Sequence, residues 1–162
     1  MDEILEENLN LSEDSGRKQI VVFQLGNEEY AVDITQSKQI IKVSKITPVP
    51  NTAEYIRGVI NLRGQIVPVV DLRTRFNITG NSNKERIITV DVRDSLIGLV
   101  VDNINEVLWY QEDELEPAPE VEGGIKQEYV KGVIKRGERL LVLIDLDKML
   151  FESRLKTVSQ SI

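Results

Sequence analysis

Residues 58–72 read GVINLRGQIVPVVDL, and residues 132–146 read GVIKRGERLLVLIDL. One pattern, Gly-Val-Ile, Arg-Gly, an apolar run and Asp-Leu, therefore occurs twice in a chain of 162 residues. Gly58 matches Gly132 and Asp71 matches Asp145, both 74 positions apart, whereas Arg63-Gly64 matches Arg136-Gly137 at 73, which reads as one residue lost from the second turn. Upstream, Val32-Asp33 returns as Val101-Asp102, and Pro48 and Pro50 return as Pro117 and Pro119, all at 69. The period exceeds the roughly 20 to 50 residues of solenoid repeats and fits two copies of a small folding unit.

Around these motifs the periodicity is that of strands. Gln19 to Leu25 and Tyr30 to Ile34 flank Gly26-Asn27-Glu28-Glu29, and Ile87 to Val92 and Leu96 to Val101 flank Arg93-Asp94-Ser95, so each copy opens with a hairpin. Thr35 to Ile41 and Asn103 to Trp109 fit either a helical turn or a bent strand. Asn51, with Glu54 three residues later, resembles a capping box and predicts a short helix after Pro50. Gly64 and Gly137 supply the positive φ of tight turns. Phe76 to Asn83 reads as a polar linker, Glu112 to Gly124 as a loop, and Leu146 to Leu155 as a closing helix. Short strands at close spacing predict two small, nearly closed barrels of about 60 to 70 residues each, a size at which a lone core is marginal. A buried seam shared by the two follows from that. The organisation is an acidic N-terminal tail over 1–17, expected to be disordered, a body over 18–152 built from approximate repeats 18–80 and 84–152, and a C-terminal tail over 153–162.

Composition removes most chemistry. There is no His and no Cys, so the chain lacks the imidazole suited to proton transfer near neutral pH, a thiolate nucleophile and the usual zinc ligands. Residues 1–16 hold six carboxylates and no cation, and the remainder is near neutral, with 20 basic against 21 acidic side chains. A near-neutral body offers no footprint for nucleic acid. Neither a signal sequence nor an apolar run of membrane length is present, and the expected location is the cytoplasm. Asp33, Asp71, Asp102 and Asp145 repeat as an acid/base pair or a cation site would require, but each ends an apolar run, where Asp ordinarily accepts backbone N–H groups in a turn. The glycines form no phosphate-cradling motif. No catalytic, cofactor-binding or metal-binding residue is assigned, and a β-rich body with exposed edges and grooves suits protein–protein recognition.

Asn61-Leu62-Arg63-Gly64, running through Ile66-Val67-Pro68-Val69 to Asp71-Leu72 and preceded by Tyr55-Ile56-Arg57-Gly58-Val59, resembles the bacterial chemotaxis coupling proteins, the CheW-like family. The likeness extends over about Gln19 to Phe151, taking in Leu25 to Tyr30, Val32-Asp33-Ile34, Ile46 to Pro50, Gly98 to Asp102 and Val107-Leu108. It implies an all-β fold of two SH3-like five-stranded barrels packed across a shared hydrophobic seam, with no enzymatic activity and no cofactor. It further implies an adaptor that binds the cytoplasmic tips of methyl-accepting chemoreceptors and the regulatory domain of the chemotaxis histidine kinase, in receptor clusters at the membrane. The receptor-facing residues implied are Arg63, Asn61, Leu62, Val100 and Val101. Those facing the kinase are Ile34, Ser37 and Gln39, where Ser37 and Gln39 depart from the Val and Glu common in the family. The alternative is a scaffold for another sensory kinase outside chemotaxis.

Overall fold

A computed structural model describes residues 16–43, 45–79, 84–118 and 125–151. The chain runs β1 (Lys18–Leu25), β2 (Glu28–Asp33), β3 (Ser37–Lys42), β4 (Ile56–Leu62), β5 (Gln65–Asp71), α1 (Leu72–Arg75), β6 (Arg86–Val92), β7 (Ser95–Val101), β8 (Asn103–Tyr110), β9 (Leu115–Glu116), β10 (Val130–Arg136), β11 (Arg139–Ile144) and α2 (Leu146–Phe151). Two sheets result, ordered β8-β1-β2-β11-β10-β9 and β3-β6-β7-β5-β4. The fold is all-β with short helices, two SH3-like barrels, the first carrying a sixth strand of only two residues. Barrel A below is the one containing β1, and barrel B the one containing β3.

Each barrel takes strands from both sequence copies. The hairpin β1–β2 of the first copy pairs with β8 and, in parallel, with β11 of the second. Symmetrically, the hairpin β6–β7 of the second copy pairs with β3 and, in parallel, with β5 of the first. The two copies thus exchange their opening hairpins.

The repeated glycines sit where each barrel is drawn together. Thr47 bridges Val59 in barrel B, with N···O distances of 2.8 Å in both directions, and Glu116 pairs with Val133 in barrel A. A Cβ on Gly58 would fall 2.2 Å from the Thr47 carbonyl oxygen, and one on Gly132 would fall 2.8 Å from that of Glu116. Only a residue without a side chain lets the bridging strand approach so closely. The repeated aspartates are equally structural. Asp71 caps α1 by accepting Arg73 N–H at 3.0 Å, Asp145 accepts Lys148 N–H at 3.1 Å, and their own N–H groups donate to the carbonyls of Tyr55 and Tyr129, both at 2.7 Å.

Three apolar clusters organise the interior. Ile20, Val22, Leu141 and Leu143 belong to the one inside barrel A, and Ile60, Val67, Val69, Ile87 and Val100 to the one inside barrel B. The third is the seam, where Val21, Phe23 and Val32 of barrel A meet Val70, Ile88, Val90, Leu99 and Val101 of barrel B. Because successive side chains of a strand point to opposite faces, β1, β6 and β7 line a barrel with one face and the seam with the other. That is why β7 and the middle of β1 are apolar almost without alternation.

Helices clamp the barrels together. The Arg73 guanidinium on α1 makes a bidentate pair with Asp102, with both N···O distances 2.5 Å, and also donates to Thr79 O, while Asp102 accepts Gly26 N–H from the β1–β2 turn. Arg75 lies over the rings of Tyr55 and Tyr129, tyrosines 74 positions apart. On the other side, Arg93 of the β6–β7 turn pairs with Asp147 of α2 at 2.7 Å and covers Phe151.

Several expectations are corrected. Residues 50–55 form turns rather than a helix, since Asn51 is left-handed at φ 60° and therefore lacks the extended backbone of an N-cap. The two ambiguous stretches are strands, β3 and β8. Residues 72–75, ahead of the expected linker, form α1, and the expected loop 112–124 contains a 3-10 turn at Glu112–Glu114 and β9. Nor is a residue lost from the second hairpin. Both turns have two residues, Arg63-Gly64 and Gly137-Glu138, so the Arg-Gly dipeptide has slipped by one and Arg136 ends β10. The N-terminal tail up to residue 15, the closing helix beyond Phe151 and the C-terminal tail lie outside the described residues.

Candidate functional site

The tip of the β4–β5 hairpin is built to expose one cation. Leu62 pairs with Gln65, leaving Arg63 and Gly64 as a two-residue loop with φ 52° and 84°. Left-handed backbone at both positions is the type I′ geometry that matches the twist of a hairpin. Gly64 adopts it freely, whereas Arg63 does so against the steric clash of its Cβ. The Asn61 side chain holds the turn, its Oδ1 accepting Gly64 N–H at 2.8 Å. Arg63 itself is exposed, and among the described residues its guanidinium has no hydrogen-bond or ionic partner. A non-glycine residue held in this conformation with an unengaged side chain is a feature found preferentially at binding and switching sites.

Beside it lies a groove of about 430 Å³ on barrel B, lined by Lys38, Gln39, Leu62, Arg63, Gln65, Thr89, Asp91, Asp94 and Leu96. The groove forms where β3 and the far end of β4 diverge, since their bridge at Thr47–Val59 closes only the other end. Its lining combines two cations, Lys38 and Arg63, with two carboxylates, Asp91 and Asp94, and the apolar side chains of Leu62 and Leu96. Such a mixed lining suits a protein surface with both signs of charge around an apolar strip better than a small molecule.

The residues implied by the resemblance separate into two groups. Arg63, Leu62 and Gln39 line this one groove, although the resemblance assigned them to two different partners. Asn61 is exposed beside them but is engaged in shaping the turn. Val100 and Val101 are 2% and 1% exposed, the first inside barrel B and the second in the seam, so neither offers a contact surface. Ile34 is likewise a seam residue at 1% exposure, and Ser37 is buried with its Oγ unpartnered, opposite Val90. These two shape the crossing from β2 to β3 from beneath.

Lys38, Thr89, Asp91, Asp94 and Leu96 were not anticipated. They come from β3, β6 and β7, and no sequence spacing joins them. Lys38 is the extra residue of a bulge between Ser37 and Gln39, a common edge-strand device that only the pairing with β6 reveals. Arg136 resembles Arg63 in sequence but differs in use. It donates to Glu114 at 3.1 Å and to the Trp109 carbonyl. Among the described residues no three His, Cys, Asp or Glu side chains gather as a metal site, and no helix is long and apolar enough to cross a membrane.

Comparison with known proteins agrees with this architecture. Residues 19–154 match the model of the CheW-like domain. The chain is 37% identical over 143 residues to the chemotaxis protein CheW of Klebsiella aerogenes, covering 87% of this chain and 86% of that one. It is 39% identical over 138 residues to the chemotaxis protein CheW of Bacillus subtilis, covering 82% and 86%. Among solved structures, the scaffolding protein TtCheW from Thermoanaerobacter tengcongensis superposes with a TM-score of 0.77 at 39% identity, covering 82% of this chain and 87% of that one.

Proposed function

This chain belongs to the CheW-like family, and on that premise we propose that it is a non-enzymatic chemotaxis adaptor that binds chemoreceptors and the chemotaxis histidine kinase together. The observation that carries the reading is Arg63: an exposed guanidinium with no partner among the described residues, fixed on a strained hairpin tip at the rim of a groove. Its planar fork is suited to carboxylates or helix-end carbonyls of a receptor tip, with Leu62 as the apolar contact beside it. Asn61 contributes by holding the turn. Gln39, on the opposite wall, is the residue of the kinase-facing set that reaches the surface, and Ile34 and Ser37 support its strand from the seam.

Rigid presentation matters because binding then orders few side chains, which limits the entropic cost. The surrounding field is mixed in sign, so selectivity rests on register rather than on bulk charge. The complex would sit on the cytoplasmic side of the membrane, beneath the receptors.

Mixing the full chain with a purified receptor cytoplasmic tip and the kinase regulatory domain, followed by size-exclusion chromatography, tests the proposal. A ternary complex is expected, and Arg63→Ala should reduce receptor-tip affinity while leaving the unfolding midpoint within a few degrees. Absence of binding to both partners would overturn the assignment. Capture of a different sensory kinase in place of the chemotaxis kinase would move the adaptor outside chemotaxis.

A further inference from the structure

The β6–β7 turn carries a second residue of the same kind as Arg63. Val92 pairs with Ser95, which leaves Arg93 and Asp94 as a two-residue loop with φ 51° and 63°. This is again the left-handed pair of a type I′ turn, but its second position, filled by Gly64 in the β4–β5 turn, holds an aspartate where glycine is preferred. Arg93 has a structural role, donating to Asp147 at 2.7 and 3.1 Å and covering Phe151. Asp94 has none. Its carboxylate has no hydrogen-bond or ionic partner among the described residues, so no contact there offsets the glycine that the turn gave up.

Asp91 is a second case. Elsewhere Asp33 pairs with Lys131, Asp71 with Arg57, Asp102 with Arg73 and Asp147 with Arg93, while Asp145 accepts Lys148 N–H. Asp91 stands inside β6, in a strand that disfavours aspartate. It is half-buried, its N–H donates to the Gln36 carbonyl at 2.8 Å, and its carboxylate is unpartnered among the described residues. β5 and β7 run parallel, so the turns that precede them lie at one end of barrel B. There both carboxylates line the same groove as Arg63 and Lys38. Four charges, two of each sign, share one groove, and among the described residues none of them makes an ion pair. A partner can therefore engage all four without breaking an internal contact.

We propose that Asp91 and Asp94 determine specificity in this groove: they take a Lys or Arg side chain of the receptor tip while Arg63 takes an acidic one. The inference rests on the adaptor reading and adds to it the chemistry required of the receptor, a surface with both charges around an apolar side chain for Leu62 and Leu96. Opposite charges read at separate points fix the orientation of the tip, because the reversed orientation sets like charges against each other. A tip with acidic residues alone is drawn to Arg63 and Lys38 but repelled by the aspartates, and is rejected on that account.

Calorimetric titration of the full chain with a purified receptor cytoplasmic tip, using variants of both proteins, tests this. Asp94→Gly should weaken binding several-fold and leave the unfolding midpoint unchanged or raised, since the turn regains its preferred residue. A lowered midpoint would make Asp94 a structural residue and overturn its role in recognition. Asp91→Lys and Asp94→Lys should each weaken binding about tenfold through like-charge repulsion. Each Lys and Arg of the tip is then reversed to Glu in turn. At one position the reversal should weaken binding to the unaltered chain and restore binding to Asp91→Lys or Asp94→Lys, a coupling that altered folding does not produce. Rescue at no position would overturn the inference. Affinity unchanged in the aspartate variants but lost in Arg63→Ala would also overturn it and leave the adaptor reading standing. A tip that does not bind the unaltered chain at all would remove the receptor from the adaptor reading, and this inference with it.

Discussion

The β4–β5 and β10–β11 hairpins both have a two-residue turn and a glycine under the closing bridge, yet among the described residues only the first exposes an unpaired cation at its tip. At the first tip the left-handed pair is Arg63-Gly64. At the second only Gly137 is left-handed, and Glu138 is not. The one-residue slip of the Arg-Gly dipeptide pulls Arg136 back into β10, where it is held by Glu114 and the Trp109 carbonyl. What the two copies share serves closure, and what differs between them serves surface. The same contrast holds for the clamps: Arg73–Asp102 is nearly buried, at 13% and 8% side-chain exposure, whereas Arg93–Asp147 is open, at 58% and 45%.

The strongest way to break this comparison is at the clamps. Arg73→Met should destabilise the fold by roughly 3 kcal/mol, because it strands the Asp102 carboxylate without its guanidinium, while Arg93→Met should stay within about 0.5 kcal/mol, as exposed pairs do. Equal losses in urea titrations would mean that the two copies are clamped alike. Next come the glycines. Gly58→Ala should cost about 3 kcal/mol and Gly132→Ala nearer 1 kcal/mol, within the range of overpacking penalties. The backbone obstacle at Gly58 is closer and its φ is 147°, whereas at Gly132 part of the obstruction is the movable Leu115 side chain. A larger loss at Gly132 would reverse the argument that barrel B closes more tightly.

A smaller effect separates the arginines. Arg136→Ala should lower stability by about 1 kcal/mol, the usual net worth of a partly buried hydrogen-bonded charge, with no effect on receptor-tip binding. Arg63→Gly should do the opposite. It relieves left-handed strain and raises stability by about 0.5 kcal/mol or more, while receptor affinity falls as in Arg63→Ala. If Arg63→Gly destabilised the protein, the exposed guanidinium would have a structural partner after all.

Much of the fold was legible because strand and turn preferences are local. Runs of five to eight residues located β1, β2, β6, β7 and β11, and Gly26 and Gly64 marked turns by their conformational freedom. The failures have physical causes too. Asn51 and Glu54 satisfied a capping pattern, but the backbone there turns left-handed and leads into β4. The site was legible only at Leu62, Arg63 and Gln39, whose motif is contiguous or whose strand was recognised. Asp91, Asp94 and Leu96 entered the groove through sheet pairing, for which the sequence carried no spacing signal.

From the sequence alone came a duplicated unit, an all-β class, glycines and aspartates fixed by repetition, and the absence of the side chains needed for most catalysis. Tertiary structure alone decided that the copies exchange their hairpins, that Val100 enters a barrel while Val101 enters the seam, and that Arg136 is paired while Arg63 has no partner among the described residues. The physical reason is the same in each case. A strand's period of two fixes which residues share a face, but which face meets which neighbour is set by burial between segments some 70 residues apart, and local preference is indifferent to that choice.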